Sequence, residues 1–214
     1  MQIYWIKAQA PRRVLALAKY LDIDAEFVKI DLRAGGLKAP DFVALNPNMK
    51  APVLVDGDKV LWESSAIMAY LCTKAGSDMW PAKRADELVE VLRWLSWNDC
   101  HWAPAVGPFY FEHIVKTTFK VGPPDRELLK SKVADVMKYG AVLDGHLAGK
   151  SYAACGRLTI ADFHSFTLQF ALGSDEKAGC ARYCSACPIA SRTMKRILPT
   201  VDASPSPGRA EIVS

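Results

Sequence analysis

Apolar and polar residues alternate between strand-like and helix-like patterns over roughly the first third of the chain. Short apolar runs predict strands at Gln2–Ile6 and Glu26–Asp31. The segment between them begins a helix near Pro11, because a proline suits the first turn of a helix. Its apolar residues then recur at helical intervals, at Val14, Leu17, Ala18 and Leu21.

A hairpin and a second long helix follow. The apolar runs Val53–Val55 and Lys59–Trp62 flank Asp56-Gly57-Asp58, and a short Gly-containing turn between two such runs predicts a β-hairpin. Ser64–Lys74 places its apolar residues on one face of a helix. With a short helical turn expected at 42–45, the order becomes βαβ, α, ββα, which is the order of a thioredoxin-like domain.

Strand patterns disappear beyond residue 84, and the rest of the chain is expected to be helical. Helices are predicted at 85–102, 127–147, 158–172 and 188–198, with breaks at Gly107-Pro108 and Gly122-Pro123-Pro124. Thr159-Ile160-Ala161-Asp162 has the spacing of a helix-capping box, for which we expect a structural role. The predicted fold is α/β plus all-α, with a thioredoxin-like domain at 1–75, a linker at 76–84, a helical bundle domain at 85–201 and a loose tail at 202–214.

The composition mainly excludes classes of protein. Half of the 214 residues are hydrophobic and 23% are charged, which is typical of a globular chain. Apolar runs fall far short of the roughly 20 residues that a membrane-spanning helix needs. The net charge of +4 is small and no block of five like charges occurs, so we expect no nucleic-acid partner. The N-terminus lacks a basic segment and a cleavage site, and we expect no signal peptide.

The six cysteines are interpreted as thiols in a reducing, cytoplasmic setting. Cys184 and Cys187 have C-x-x-C spacing, and Cys180 lies close to them in the sequence. A structural zinc site needs four ligands, and no second pair completes the set. We therefore interpret this cluster as free thiols on a helix and expect no metal.

Two segments carry the candidate chemistry. Asn46-Pro47-Asn48-Met49-Lys50-Ala51-Pro52 leads into a predicted strand, and a backbone exposed beside such a strand can pair with an extended peptide. Glu63-Ser64 opens a predicted helix, whose free N–H groups and positive dipole end attract a carboxylate. The Glu63 carboxylate can meet an ammonium group. Together these features fit a short zwitterionic peptide.

At these residues the chain resembles the cytosolic glutathione S-transferases. Arg93-Trp94-Leu95-Ser96-Trp97 looks like the first long helix of many bacterial members, and 156–163 looks like the capping motif of the family. The resemblance covers the chain from Met1 to about Leu172. It implies a homodimer that transfers the thiolate of glutathione, its co-substrate, to a small hydrophobic electrophile.

The group that stabilises the thiolate is where the chain departs from the family pattern. A free thiol has a pKa of about 8.5, so the enzyme must stabilise the anion by hydrogen bonding or by a helix dipole. Related enzymes place a serine or cysteine before the first helix, but Lys7-Ala8-Gln9-Ala10-Pro11 contains neither. The resemblance to tyrosine-type members makes Tyr4 one candidate, and the alternative is a core aromatic in the strand. Gln9 or a backbone N–H of the loop is the other candidate.

The binding residues follow the family pattern more closely. The resemblance implies that the backbone of Ala51, before a cis bond to Pro52, pairs with the cysteinyl unit of glutathione. Glu63 and Ser64 should hold its γ-glutamyl end, although a plain helix cap is the simpler interpretation of this pair. Lys50 and Lys38 are the candidates for a contact with the glycine carboxylate, and the alternative for each is a solvated surface lysine.

A pocket for the second substrate is expected against the helical domain. Its candidate residues are Trp97, His101, Trp102 and Phe109, with Trp94 beside them. Tryptophans three residues apart are also what packed helices use, so the alternative is a helical core.

Three functions remain open on the sequence. The first is a glutathione transferase. The second is a non-catalytic binding or scaffold protein with the same fold, which the missing loop hydroxyl favours. The third is a glutathione-dependent reductase or peroxidase, which needs a cysteine beside the first helix; the nearest in sequence is Cys72.

Overall fold

The architecture is that of a computed structural model, which describes residues 1–164. The predicted helix at 188–198, the tail at 202–214 and the Cys180, Cys184 and Cys187 cluster lie outside the described residues.

The N-terminal part is a four-stranded sheet with three helices. Its elements are β1 (Gln2–Trp5), α1 (Gln9–Tyr20), β2 (Glu26–Lys29), α2 (Pro40–Leu45), β3 (Val53–Asp56), β4 (Lys59–Trp62) and α3 (Ser64–Lys74). The strand order is β2-β1-β3-β4; β1 runs parallel to β2 and antiparallel to β3, and β3 is antiparallel to β4. The predicted thioredoxin-like arrangement is confirmed.

The two faces of the sheet bury different residues because side chains alternate along each strand. Ile3 and Leu54 lie opposite each other in β1 and β3 and are fully buried in the core that α1 and α3 share. Tyr4 points to the other face, where its ring lies 6.2 Å from that of Phe42 in α2. β1 ends at Trp5, and a short loop connects its carboxyl end to the start of α1 at Gln9.

The helical part begins with one long run of helix. It contains α4 (Ala85–Trp97), a π-helical turn at Asn98–Trp102, α5 (Ala103–Tyr110), a second π-helical turn at Phe111–Val115 and α6 (Lys116–Phe119). The predicted break at Gly107-Pro108 is wrong, because both residues lie inside α5. Pro108 has no N–H to donate to the carbonyl of Pro104, one turn earlier, and the helical run nevertheless continues, with a π-helical turn on each side of α5.

The predicted break at Gly122-Pro123-Pro124 is confirmed, and it separates α6 from α7 (Arg126–Leu147). The buried carboxylate of Glu112 holds this connection in place: it accepts hydrogen bonds from Lys116 Nζ and from the backbone N–H of Asp125, both at 2.6 Å. Asp125 in turn caps α7 by accepting from the N–H of Leu128 at 3.0 Å. None of the helices within residues 1–164 is long and apolar enough to cross a membrane.

Asp162 forms the predicted capping box at the start of the helix at 160–164. One carboxylate oxygen accepts from the backbone N–H of Thr159 at 2.8 Å and from its hydroxyl at 3.1 Å. The other oxygen accepts from the N–H of Ala153 at 2.8 Å. Burial raises the pKa of Asp162 to about 6, although these hydrogen bonds favour the carboxylate. Its role is structural, as the sequence predicted.

Candidate functional site

The loop before β3 is organised by the buried side chain of Asn46. Its amide Nδ2 donates to the carbonyl of Lys50 at 2.6 Å, and its Oδ1 accepts from the N–H of Asn48 at 3.0 Å. The N–H of Met49 closes the turn on the Asn46 carbonyl at 2.9 Å. The sequence analysis gave Asn46 no role, yet an asparagine before a proline is a turn signal that could have revealed it.

This loop places Ala51 two residues before the start of β3. The Ala51–Pro52 peptide bond is cis, as the family resemblance implied. Within residues 1–164, no hydrogen bond is made by the backbone N–H or C=O of Ala51. β3 itself is paired on both sides by β1 and β4, so an extended peptide can pair only with the backbone of Ala51 in the loop before it.

Glu63 and Ser64 lie beside the same loop. Val53 pairs with Trp62 across the hairpin, so the residues before Val53 and those after Trp62 meet at one end of it. Ser64 is buried and is the first residue of α3, while Glu63 is exposed. The two sequence segments thus come together in the structure.

The backbone of Glu63 argues against the plain-cap interpretation. Glu63 precedes α3 with φ 69° and ψ 120°, and its side chain makes no capping hydrogen bond. A positive φ in a non-glycine residue costs about 1–3 kcal/mol and concentrates at functional sites. The free carboxylate and the uncapped N–H groups of α3 remain open to a ligand with both charges.

The N-terminus of α1 forms the third part of the site. Ala8 precedes it without a side-chain cap, and its first turn contains no acidic residue. Gln9 begins the helix and is buried, with no partner for its Oε1 atom within residues 1–164. It lies beside Tyr110 at the end of α5: burial raises the pKa of Tyr110, whereas hydrogen bonding by Gln9 and the charge of Arg12 act against this rise. Tyr110 is not among the site residues predicted from the sequence, because its contact with Gln9 joins positions about a hundred residues apart.

The Tyr4 hydroxyl is not brought to the start of α1. It donates to Gln2 Oε1 at 3.1 Å, toward the beginning of β1, while α1 follows the opposite end of the strand. With its ring on Phe42, Tyr4 has the contacts of a strand aromatic. This geometry favours Gln9 or the helix N-terminus as the donor.

The residues predicted to line the second-substrate pocket pack instead within the helical part. Trp97 stacks on Trp102 with ring centroids 6.2 Å apart, and His101 stacks on Tyr139 of α7 at 5.1 Å. Trp102 and Phe109 are buried core residues. Their helical spacing serves packing against α7, which is the alternative that the sequence left open.

The remaining candidates have weaker structural support. Lys38 and Lys50 are both exposed, as solvated lysines are. Cys72 is buried inside α3 and burial raises the pKa of its thiol to about 12, so it has none of the thiolate character that a reductase cysteine needs. Within residues 1–164, no three His, Cys, Asp or Glu side chains are grouped to hold a metal ion.

Comparison with known proteins points to one family. Residues 2–73 match the family described as glutathione S-transferase, N-terminal domain. Glutathione S-transferase 3 of Zea mays is 37% identical over 153 residues, which cover 70% of this chain and 68% of that protein. A probable glutathione S-transferase of Oryza sativa, GSTF2, is 29% identical over 166 residues, 78% of this chain and 77% of that protein.

Solved structures agree over nearly the whole length. The apo structure of glutathione S-transferase III superposes with a TM-score of 0.80 at 29% identity, covering 97% of this chain and 98% of that one. Glutathione S-transferase I bound to lactoylglutathione gives a TM-score of 0.83 at 22% identity, covering 94% and 95%, and supports the fold.

A thioredoxin-like domain followed by helices is the architecture that this chain shares with the solved glutathione S-transferases. The chain belongs to the glutathione S-transferase family. Its reaction is the conjugation of glutathione to electrophiles. The named sequence relatives come from plants and a mosquito, so the expected bacterial type is not supported.

Proposed function

We propose that glutathione lies along the cis-proline loop of this enzyme with its thiol at the N-terminus of α1. The backbone of Ala51 pairs with the cysteinyl unit, and Glu63 with Ser64 holds the γ-glutamyl end. The open backbone of Ala51 beside the uncapped start of α3 is the observation that carries this proposal. Pro52 fixes the loop, and Lys50 extends toward the glycine carboxylate.

In this proposal the thiolate is stabilised by the first turn of α1 and by the Gln9 amide. Hydrogen bonding to an anion and the positive end of a helix both lower a thiol pKa. Gln9 supports this role because it begins α1, is buried and hydrogen-bonds through its side chain to Tyr110. Since Tyr4 donates to Gln2, we place Gln9 ahead of Tyr4.

Gln9→Ala and Tyr4→Phe separate these two donors. A hydrogen bond to a charged group contributes about 1.5–3 kcal/mol, so Gln9→Ala should lower kcat/KM about 10- to 100-fold. Tyr4→Phe should stay within about twofold, because its hydroxyl only meets Gln2. Steady-state conjugation of glutathione to a chloronitrobenzene measures both.

Two outcomes would contradict this assignment. A large loss in Tyr4→Phe with a normal rate in Gln9→Ala would return the role to Tyr4. A wild-type rate no greater than the uncatalysed one would support the scaffold alternative. In this proposal Tyr110, which lies beside Gln9, lines the second-substrate pocket.

We also propose that the protein is a cytoplasmic homodimer. Apolar side chains are exposed on two segments: Met49, Val60 and Trp62 in and around the β3–β4 hairpin, and Val89 and Leu92 on one face of α4. Dimerisation would bury both segments.

Val89→Glu/Leu92→Glu should convert a dimer into a monomer, because two buried charges would face the partner. Sedimentation velocity measures the mass. Val142→Glu on α7, which is similarly exposed, is the matched control and should leave the dimer intact. A wild-type protein that sediments as a monomer would refute the proposal.

A further inference from the structure

A buried chain of three polar side chains joins α1 to the helical part of the molecule. Arg13 of α1 contacts Nδ1 of His164 at 2.5 Å, and Nε2 of His164 contacts Asp99 Oδ1 at 2.7 Å. Arg13 and His164 are almost fully buried, while the Asp99 side chain is about half exposed. Asp99 lies in the π-helical turn that follows α4.

The two neighbours fix the protonation state of His164. A guanidinium group can only donate hydrogen bonds, so Nδ1 must be an acceptor without a proton. A carboxylate can only accept, so the single proton is on Nε2. His164 therefore completes the chain only as a neutral imidazole, in one tautomer.

A protonated His164 breaks this arrangement. A proton on Nδ1 removes the acceptor for Arg13 and places two positive charges side by side in a buried site. The pKa of His164 is lowered because burial disfavours the imidazolium and Arg13 repels it, although Asp99 acts in the opposite direction. Within residues 1–164, Arg13 and Asp99 are the charged groups that face its ring.

Arg13 connects this chain to the proposed glutathione site. Arg13 follows Gln9 by four residues in α1, so the two side chains leave the helix on the same face. Both are buried against the helical part, Gln9 beside Tyr110 and Arg13 against His164. Whatever holds Arg13 also sets the position of the first turn of α1.

We propose that neutral His164 is a positioning residue for the thiolate end of the site, and that its protonation at acid pH releases α1. The proposal rests on the proposed function only for its effect on activity. Because the pKa of His164 is lower in the folded protein than in the unfolded chain, its contribution to the free energy of unfolding is fully present above the ordinary histidine pKa of about 6.5. This contribution is lost as the pH falls from there through the pKa of the folded protein.

Wild-type protein tests the first step without any activity measurement. Burial lowers the pKa of both His146 and His164, so proton NMR should show two of the four histidines titrating below the ordinary value. His164→Asn should remove one of these two signals, which assigns it to His164. Asp99→Asn should move the same midpoint lower, because it removes the charge that favours the imidazolium. A His164 signal that titrates at or above the ordinary value would overturn the proposal, even if glutathione conjugation were absent.

His164→Asn tests the second step, since its Oδ1 can accept from Arg13 but cannot titrate. The thiolate population itself falls at acid pH, so the readout is the variant-to-wild-type ratio of kcat/KM from about pH 8 to about pH 5. We expect a ratio near one at neutral pH that rises by up to about tenfold per pH unit below the wild-type NMR midpoint.

His113→Asn, outside this chain, should keep a constant ratio across the same range. A constant ratio for His164→Asn as well would overturn the positioning role. If His164→Asn fails to fold, the wild-type NMR midpoint and its shift in Asp99→Asn still decide the question.

Discussion

Replacing Asp162 with alanine is expected to lower the free energy of unfolding by about 3–5 kcal/mol, one of the largest effects of any single change in this chain. Asp162 is fully buried and its two oxygens accept from Ala153 N–H, Thr159 N–H and the Thr159 hydroxyl. Alanine leaves these donors buried without partners, and each costs about 1–3 kcal/mol. The total free energy of unfolding of a typical domain is only about 5–15 kcal/mol.

Urea unfolding at about pH 8, where the carboxylate is ionised, measures this loss. Asp125→Ala is a matched control, because Asp125 also caps a helix but is exposed and accepts a single bond. It should cost about 1 kcal/mol. If Asp162→Ala costs no more than Asp125→Ala, the buried capping box does not hold the helical part together.

Local patterns explain why much of this fold could be predicted. The helix at Ser64–Lys74 has the predicted bounds, and the hairpin turns where Gly57 follows Asp56. These signals involve residues close in sequence, whose periodicity and turn chemistry act locally. Where the signal was a lone breaker, the prediction failed: Pro108 lies inside α5, which has a π-helical turn on each side. A proline disfavours a helix locally but does not exclude one.

The candidate site was predictable only in part, for a related reason. Ala51 and Glu63 belong to short segments with a recognisable pattern, and the hairpin between them brings the segments together. The contact of Gln9 with Tyr110 joins residues far apart in sequence. Trp102 is a core residue. Tryptophans at helical intervals are expected both in a helical core and on a pocket wall, so periodicity could not distinguish these two roles.

The second large effect is expected on glutathione binding. In the proposed site Glu63 meets the ammonium, and the Ser64 hydroxyl, with the N–H groups at the start of α3, meets the carboxylate of the γ-glutamyl end. A hydrogen bond to a charged group is worth about 1.5–3 kcal/mol, so losing two should weaken binding by at least about 100-fold. Glu63 already has a positive φ in the wild type, so Glu63→Ala introduces no new backbone strain.

Calorimetric titration of glutathione into wild type and Glu63→Ala/Ser64→Ala is the most direct test of the central claim. Ser65→Ala, which removes the neighbouring hydroxyl, is the matched control and should bind as wild type does. We predict dissociation constants in the micromolar-to-millimolar range for wild type and the control, and no detectable heat for the double variant. A folded wild-type protein that binds no glutathione, or a double variant that binds it equally well, would contradict the account.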